Sequence, residues 1–225
     1  MKSCKNYRDL AADSLTGRMA SVVVATLILT LLGILLGTYT NISNNPSINR
    51  LVPGVGYTLS NFAWMSIFGV ISFLVLLPMH YSYETGFLSV VRDRSVKDLT
   101  TRMFSRFNTK DYGRAIEVPL LVNVYTMLWT LLFIIPGIVK SYSYAMALYI
   151  SCDRPELSAE ECVSESRRMM SGHKGKLFLL DLSYIGWGIL CLLTCGILSL
   201  WVCPKMQAAH ALFYEDLKAC DGKTL

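Results

Sequence analysis

Four ionisable side chains lie within long apolar stretches of this chain, and their types and positions could do chemistry: Asp181, Lys205, His80 and His210. A titratable group inside a membrane-spanning segment is costly, so it commonly marks a path for ions, protons or a solute. Asp181 and Lys205, on adjacent antiparallel helices, could pair and form part of such a path. We favour the simpler interpretation, an interfacial Asp beside a Lys whose long side chain reaches the membrane surface.

The histidines and cysteines do not form a metal-binding pattern. His80, His173 and His210 are widely separated, and the seven cysteines include no Cys-x-x-Cys pair. Cys191 and Cys195 stand one helical turn apart, but no His or acidic ligand accompanies them, so packing at a helix interface explains them better than a soft-metal site. The sequence also lacks a Gly-x-Ser-x-Gly elbow and a His-Glu-x-x-His helix. We therefore expect no metal, no cofactor and no enzymatic activity.

The composition indicates that these residues belong to a membrane protein. Hydrophobic residues make up 53% of the 225 residues and charged residues only 16%, whereas a soluble domain carries about a quarter charged residues. Between Arg18 and Arg50 lie 31 residues without a charged side chain, and between Arg50 and Glu84 another 33. Either stretch exceeds the roughly 20 apolar residues that cross a bilayer core.

Apolar runs and turn residues predict an all-α polytopic membrane protein with six transmembrane helices in three hairpins. Pro136-Gly137 reads as the turn of the second hairpin and Gly196 as part of the turn of the third. Pro204 lies within the last span, where a proline can kink the helix. The predicted spans are about 19–39, 57–91, 118–135, 138–152, 177–193 and 197–214, in one integral membrane domain over 1–225.

The distribution of positive charge predicts the topology. Of the 21 Lys and Arg residues, 19 fall into four clusters separated by the predicted hairpins, and only Arg50 and Lys140 fall on the opposite side. Because cytoplasmic loops retain Lys and Arg, we expect a multi-pass protein of the inner (plasma) membrane with both termini in the cytoplasm. Lys205 fits this rule least well, since it lies inside a predicted span.

The cytoplasmic segments themselves contain helical patterns. Ser158 and Glu161 form a capping-box motif, and amphipathic surface helices are predicted at about 4–16, 96–107 and 159–171. Basic side chains on this face would bind the lipid bilayer through anionic head groups. They are Arg102, Arg106, Arg167, Arg168, Lys174 and Lys176.

Several short motifs carry a family resemblance. They include the block from Leu128 to Ile138 with its Ile-Ile-Pro-Gly, the stretch Tyr142-Ser-Tyr-Ala-Met-Ala, and Ile185-Gly-Trp. In order and spacing, residues of about 104–217 resemble the uncharacterised bacterial integral membrane family known as domain of unknown function 975. The resemblance implies a bacterial multi-span membrane protein and says little about activity. In the family an aromatic residue usually follows the proline at the position of Pro204, where this chain has Lys205.

Two functions remain open from the sequence. The leading hypothesis is a non-catalytic accessory or scaffold protein that binds lipid or other membrane proteins, and no nucleic acid, through the basic cytoplasmic face. The alternative is a small transporter or channel that moves a solute or protons through the helix bundle by means of Lys205 and Asp181.

Overall fold

The computed structural model describes residues 3–17, 19–43, 59–92, 112–194 and 196–221, and every regular element among them is an α helix. The predicted all-α fold is therefore confirmed for this part of the chain. In order, the helices are α1 (Cys4–Ser14), α2 (Met19–Ser43), α3 (Leu59–Arg92), α4 (Tyr112–Leu132), α5 (Ile134–Tyr144), α6 (Ala147–Asp153), α7 (Ala159–Met169), α8 (Lys174–Leu182), α9 (Ile185–Leu193) and α10 (Ser199–Asp221).

Helices α1 and α7 correspond to two of the predicted surface helices, whereas the segment 96–107, with Arg102 and Arg106, lies outside the described residues. The capping box of α7 is present: the Glu161 amide donates to Ser158 Oγ at 3.3 Å, and the Ser158 amide donates to Glu161 Oε2 at 2.7 Å. Together these two bonds satisfy backbone donors that a helix start otherwise leaves unpaired.

The apolar faces of these two helices pack against protein. In α1, Tyr7 and Ala11 are buried, and the Tyr7 ring lies 5.7 Å from that of Phe213 in α10. In α7, Cys162 and Val163 are buried in the same way. We expected amphipathic helices resting on the membrane; instead, both apolar faces are covered by the helix bundle, which leaves only their polar faces for other partners.

The turn of the second hairpin does not lie where the sequence placed it. Phe133 is extended (φ −154°, ψ 136°) and separates α4 from α5, so Pro136 and Gly137 fall in the first turn of α5. Proline is tolerated there because the first amides of a helix have no intrahelical acceptor. Gly137 allows close packing of α5 on α4: a Cβ at this position would overlap Thr130 Oγ1 and lie 2.7 Å from Thr130 Cα. Predicting the turn at Pro136-Gly137 was therefore wrong by three residues.

The predicted span at 138–152 is broken into two helices, at Ala145 and Met146. A serine from α7 fills the break, since Ser166 Oγ donates to the Ser143 carbonyl at 2.8 Å and accepts from the Met146 amide at 3.2 Å. Ser166 is fully buried. This hydroxyl replaces hydrogen bonds that the interrupted helix has lost, so the packing of α7 stabilises the break.

The predicted span at 177–193 is interrupted as well, at Ser183 and Tyr184 between α8 and α9. Here the partner comes from α1, because Arg8 Nη1 donates to the Ser183 carbonyl at 3.1 Å. Gly196 has φ +85° and its amide donates to the Cys191 carbonyl at 2.8 Å. A left-handed glycine of this kind terminates a helix, which agrees with the predicted turn before α10. Pro204 is buried within α10.

Large apolar side chains are exposed at the ends of the second and third hairpins. Leu131 is 80% exposed, Ile135 77% and Leu193 76%. Among the described residues, α4 alone is both long and apolar enough to cross a bilayer; Cys4–Ser14 and Met19–Leu32 pass together but meet at 98°. Six membrane crossings therefore stay a prediction.

Candidate functional site

A cavity of about 280 Å³ lies between α3, α4, α10 and the break that separates α5 from α6. Its walls combine polar groups with two phenol rings, and no Lys or Arg is among the described residues that line it. The polar side chains are His80, Glu84, Asn123, Gln207 and His210, and the rings belong to Tyr144 and Tyr149. The cavity is thus a site between helices with a largely polar lining.

Glu84 is the acidic group of this cavity. Its Oε1 lies 3.4 Å from His80 Nδ1, one turn earlier in α3, and accepts a hydrogen bond from Gln207 Nε2 at 3.5 Å. The His80 side chain is 63% exposed and that of Glu84 only 19%. Gln207 Oε1 is buried and has no hydrogen-bond partner within the described part of the chain. The cavity therefore contains a carboxylate and a carbonyl that can both accept hydrogen bonds from a ligand.

His210 connects the cavity to a second carboxylate. His210 Nε2 lies 2.6 Å from Asp181 Oδ1, and the Tyr142 hydroxyl donates to Asp181 Oδ2 at 3.0 Å. Asp181 is therefore held by α10 and α5, and its ion-pair partner in the described structure is His210. The pairing of Asp181 with Lys205, considered from the sequence, does not occur here.

Lys205 lies in a different cleft, of about 400 Å³, which it shares with Arg8, Asp9 and two tryptophans. Its backbone carbonyl accepts a hydrogen bond from the Tyr184 hydroxyl at 3.5 Å. Lys205 and Asp181 do not meet because of their positions along the two helices. Asp181 and His210 lie nearly equal numbers of residues before and after Gly196, whereas Lys205 is five residues nearer the turn, or about 7.5 Å along the helix.

An ion cluster joins the ends of α3, α6 and α10. Asp153 accepts hydrogen bonds from Arg92 Nη1 at 2.5 Å, from Lys218 Nζ at 2.8 Å and from the Tyr214 hydroxyl at 3.1 Å, and Arg92 Nε also donates to Glu215 at 2.6 Å. Burial disfavours the charged form of Asp153, but the bonds from Arg92 and Lys218 outweigh it and lower the pKa to about 2. These bonds connect the ends of the three helices, and they occupy the charged groups of Arg92 and Asp153.

The predicted basic face is only partly available. Arg168 donates hydrogen bonds to Glu165 and Asp221, which raise the pKa of Arg168 further above its usual value. Arg167 and Lys176 are exposed, and Lys174 is half-buried. Arg168 therefore links α7 to the end of α10, and few of its N–H donors remain for lipid.

No metal site is formed by the described residues, among which no three His, Cys, Asp or Glu side chains could hold one ion.

The structure brings the predicted site residues His80 and His210 together at the cavity and places Asp181 beside His210. Glu84, Gln207 and Asn123 were missed as site residues. A signal existed for the first two, because Glu84 follows His80 by four residues and Gln207 precedes His210 by three, so each pair shares a helix face.

Comparison with known proteins relates part of the chain to a protein family. Residues 131–221, from the end of α4 to the end of α10, match the family described as Protein of unknown function (DUF975). No curated protein and no solved structure matches the chain. The match contains the broken helices, the Asp181–His210 pair and Gln207, but not His80 or Glu84. The resemblance of the sequence to this uncharacterised family is therefore confirmed for residues 131–221.

Proposed function

We propose that this chain is an integral membrane protein that binds a small organic cation in the cavity beside Glu84 and moves it across the membrane. The single observation that carries the proposal is the combination of a half-buried carboxylate, a buried carbonyl without a hydrogen-bond partner among the described residues, and two phenol rings in one interhelical cavity. Cavities of about 300 Å³ are at the lower end of small-molecule sites, so the ligand is small.

Membrane insertion is supported by the exposed hairpin ends. Contiguous apolar surface of this kind is unfavourable in water and marks contact with lipid or another protein. We propose that lipid surrounds these ends and retain the predicted arrangement of three hairpins with both termini in the cytoplasm. Trp129, with Lys140 Nζ 4.5 Å from its ring centre, is the type of residue that anchors a helix at the lipid interface.

The preference for a cation follows from the charges around the cavity. Glu84 supplies a negative charge, and Asp181 contacts His210 of the cavity wall. The described residues of the wall include no Lys or Arg. A planar N–H donor group can bond a carboxylate through two parallel hydrogen bonds. Tyr144 and Tyr149 add aromatic surface, which attracts cations when water is excluded.

Equilibrium dialysis of the detergent-purified protein against radiolabelled guanidinium tests binding. We expect saturable binding that Glu84→Gln reduces by at least tenfold, because this change removes the cavity's carboxylate and keeps its shape. Glu117→Gln is the matched control, since Glu117 is exposed on α4 outside the cavity. Equal binding by the Glu84→Gln and Glu117→Gln proteins would show that the cavity is not the site.

A second candidate function is the scaffold role, in which the basic face binds anionic lipid. The observation in its favour is the exposure of Arg167 near the end of α7, with the half-buried Lys174 at the start of α8. Flotation with phosphatidylglycerol liposomes tests it: the double variant Arg167→Gln, Lys174→Gln should bind less at low salt, and binding equal to that of the native protein would exclude this role.

A further inference from the structure

We infer that the cleft around Lys205 is a binding site for the head group of an anionic phospholipid. The cleft lies outside the proposed cation cavity and is bounded by α1, α9 and α10, with Tyr184 between α8 and α9 at its inner wall. Its volume of about 400 Å³ is sufficient for a phosphate ester and part of a glycerol backbone.

The charges of the cleft favour an anion. Arg8 and Lys205 line it together with one acidic residue, Asp9, so the cationic groups are in excess. Arg8 uses one N–H for the Ser183 carbonyl, and a guanidinium has five such donors, which leaves others for a phosphate oxygen. Lys205 is half-buried and makes no ion pair among the described residues. A buried or half-buried cation without a counter-ion is costly, and a bound phosphate would remove that cost.

The walls of the cleft indicate that the phosphate is attached to a lipid. Trp187 and Trp201 line it and are 46% and 44% exposed. Tryptophan concentrates at the level of lipid head groups, where its ring is in the apolar layer and its N–H meets the polar layer. Beyond these rings, towards the Gly196 turn, Leu193 and Ile197 are exposed and available to acyl chains. A free phosphate ion would gain nothing from this apolar continuation.

This site also explains why a lysine occupies a position inside a predicted span. If the head-group layer reaches the cleft, Lys205 lies at the membrane interface. Its ammonium group then faces lipid phosphates, and no proton path is needed to account for it.

Native mass spectrometry of the detergent-solubilised protein tests the inference with two lipids of identical acyl chains, phosphatidylglycerol and phosphatidylcholine. We expect phosphatidylglycerol to bind more tightly, and Lys205→Met to weaken its binding by about fivefold or more, the effect of one basic group facing anionic lipid. Lys205→Arg should retain the binding because it keeps the charge. Arg154→Met should retain it as well, since the exposed Arg154 follows the end of α6 and lies outside the cleft.

Three results would overturn the inference: equal binding of the two lipids by the native protein, unchanged phosphatidylglycerol binding by Lys205→Met, or displacement of the lipid by millimolar inorganic phosphate. The last result would identify a site for free anions. None of these measurements involves guanidinium, so the head-group site and the cation cavity succeed or fail separately.

Discussion

Removing the carboxylate of Asp153 should destabilise the protein by an amount that depends on pH. The side chain is only 7% exposed and bonds Arg92 and Lys218, which lower its pKa to about 2. An unfolded Asp titrates near 3.9, and one pKa unit corresponds to about 1.36 kcal/mol, so the ionised form contributes roughly 2.5 kcal/mol to folding. Because the folded pKa is depressed, this contribution is complete above about pH 4 and is lost as the pH falls towards 2.

Thermal unfolding of the detergent-solubilised protein, followed by tryptophan fluorescence, measures this effect. At pH 6, Asp153→Asn should lower the unfolding midpoint by about 5–10 °C, because 1 kcal/mol corresponds to about 2–4 °C in a chain of this size. The difference between native and variant proteins should shrink as the pH is lowered from 4 to 2. Asp13→Asn, at an exposed site on α1, is the control and should change the midpoint little.

A constant difference between the native protein and Asp153→Asn from pH 6 to pH 2 would refute this reasoning, because the carboxylate would then not act through its charge. A midpoint equal to that of the native protein at pH 6 would show that the cluster at the ends of α3, α6 and α10 does not stabilise the fold.

Three further substitutions test the packing that shapes the cavity, each by the same thermal measurement. Gly137→Ala should destabilise by about 1–3 kcal/mol, because the new methyl group overlaps the facing threonine of α4, whereas Gly113→Ala, with nothing within 4 Å, should not. Ser166→Ala should cost about 1–3 kcal/mol by leaving two backbone groups unpaired at the break, and the exposed Ser164→Ala should be nearly neutral. Ser158→Ala removes the cap of α7 and should cost about 1 kcal/mol. The packing argument fails if Gly137→Ala and Gly113→Ala unfold at equal midpoints, and the argument for the helix break fails if Ser166→Ala and Ser164→Ala do. An unchanged midpoint for Ser158→Ala would show that the cap does not stabilise α7.

The elements of the fold could be predicted because their signals are local. Ser158 and Glu161 lie within one turn, and Gly196 stops a helix by its own backbone conformation, so the start of α7 and the turn before α10 follow from nearby residues. The helix breaks could not be predicted in this way. The hydroxyl that fills the break at Met146 comes from Ser166, on another helix, and no pattern around Met146 reveals it.

The site was predicted in part for a similar reason. His80 and His210 were identified by their cost inside apolar segments, and the structure places both at one cavity. A pairing of Asp181 with Lys205 was one of two alternatives that the sequence left open; the structure places His210 beside Asp181 instead, because Lys205 is five residues nearer the turn. Glu84 was overlooked because it marked only the end of an uncharged stretch, although its spacing from His80 places both on one helix face.

Uptake of radiolabelled guanidinium by liposomes containing the purified protein tests the central claim most directly. Guanidinium keeps its charge at neutral pH, so it does not leak across lipid as a neutral base. We expect saturable uptake into liposomes with the native protein and with Glu117→Gln, and uptake reduced to that of empty liposomes with Glu84→Gln. Uptake by the native protein no faster than by empty liposomes, or equal uptake by Glu84→Gln, would contradict the claim.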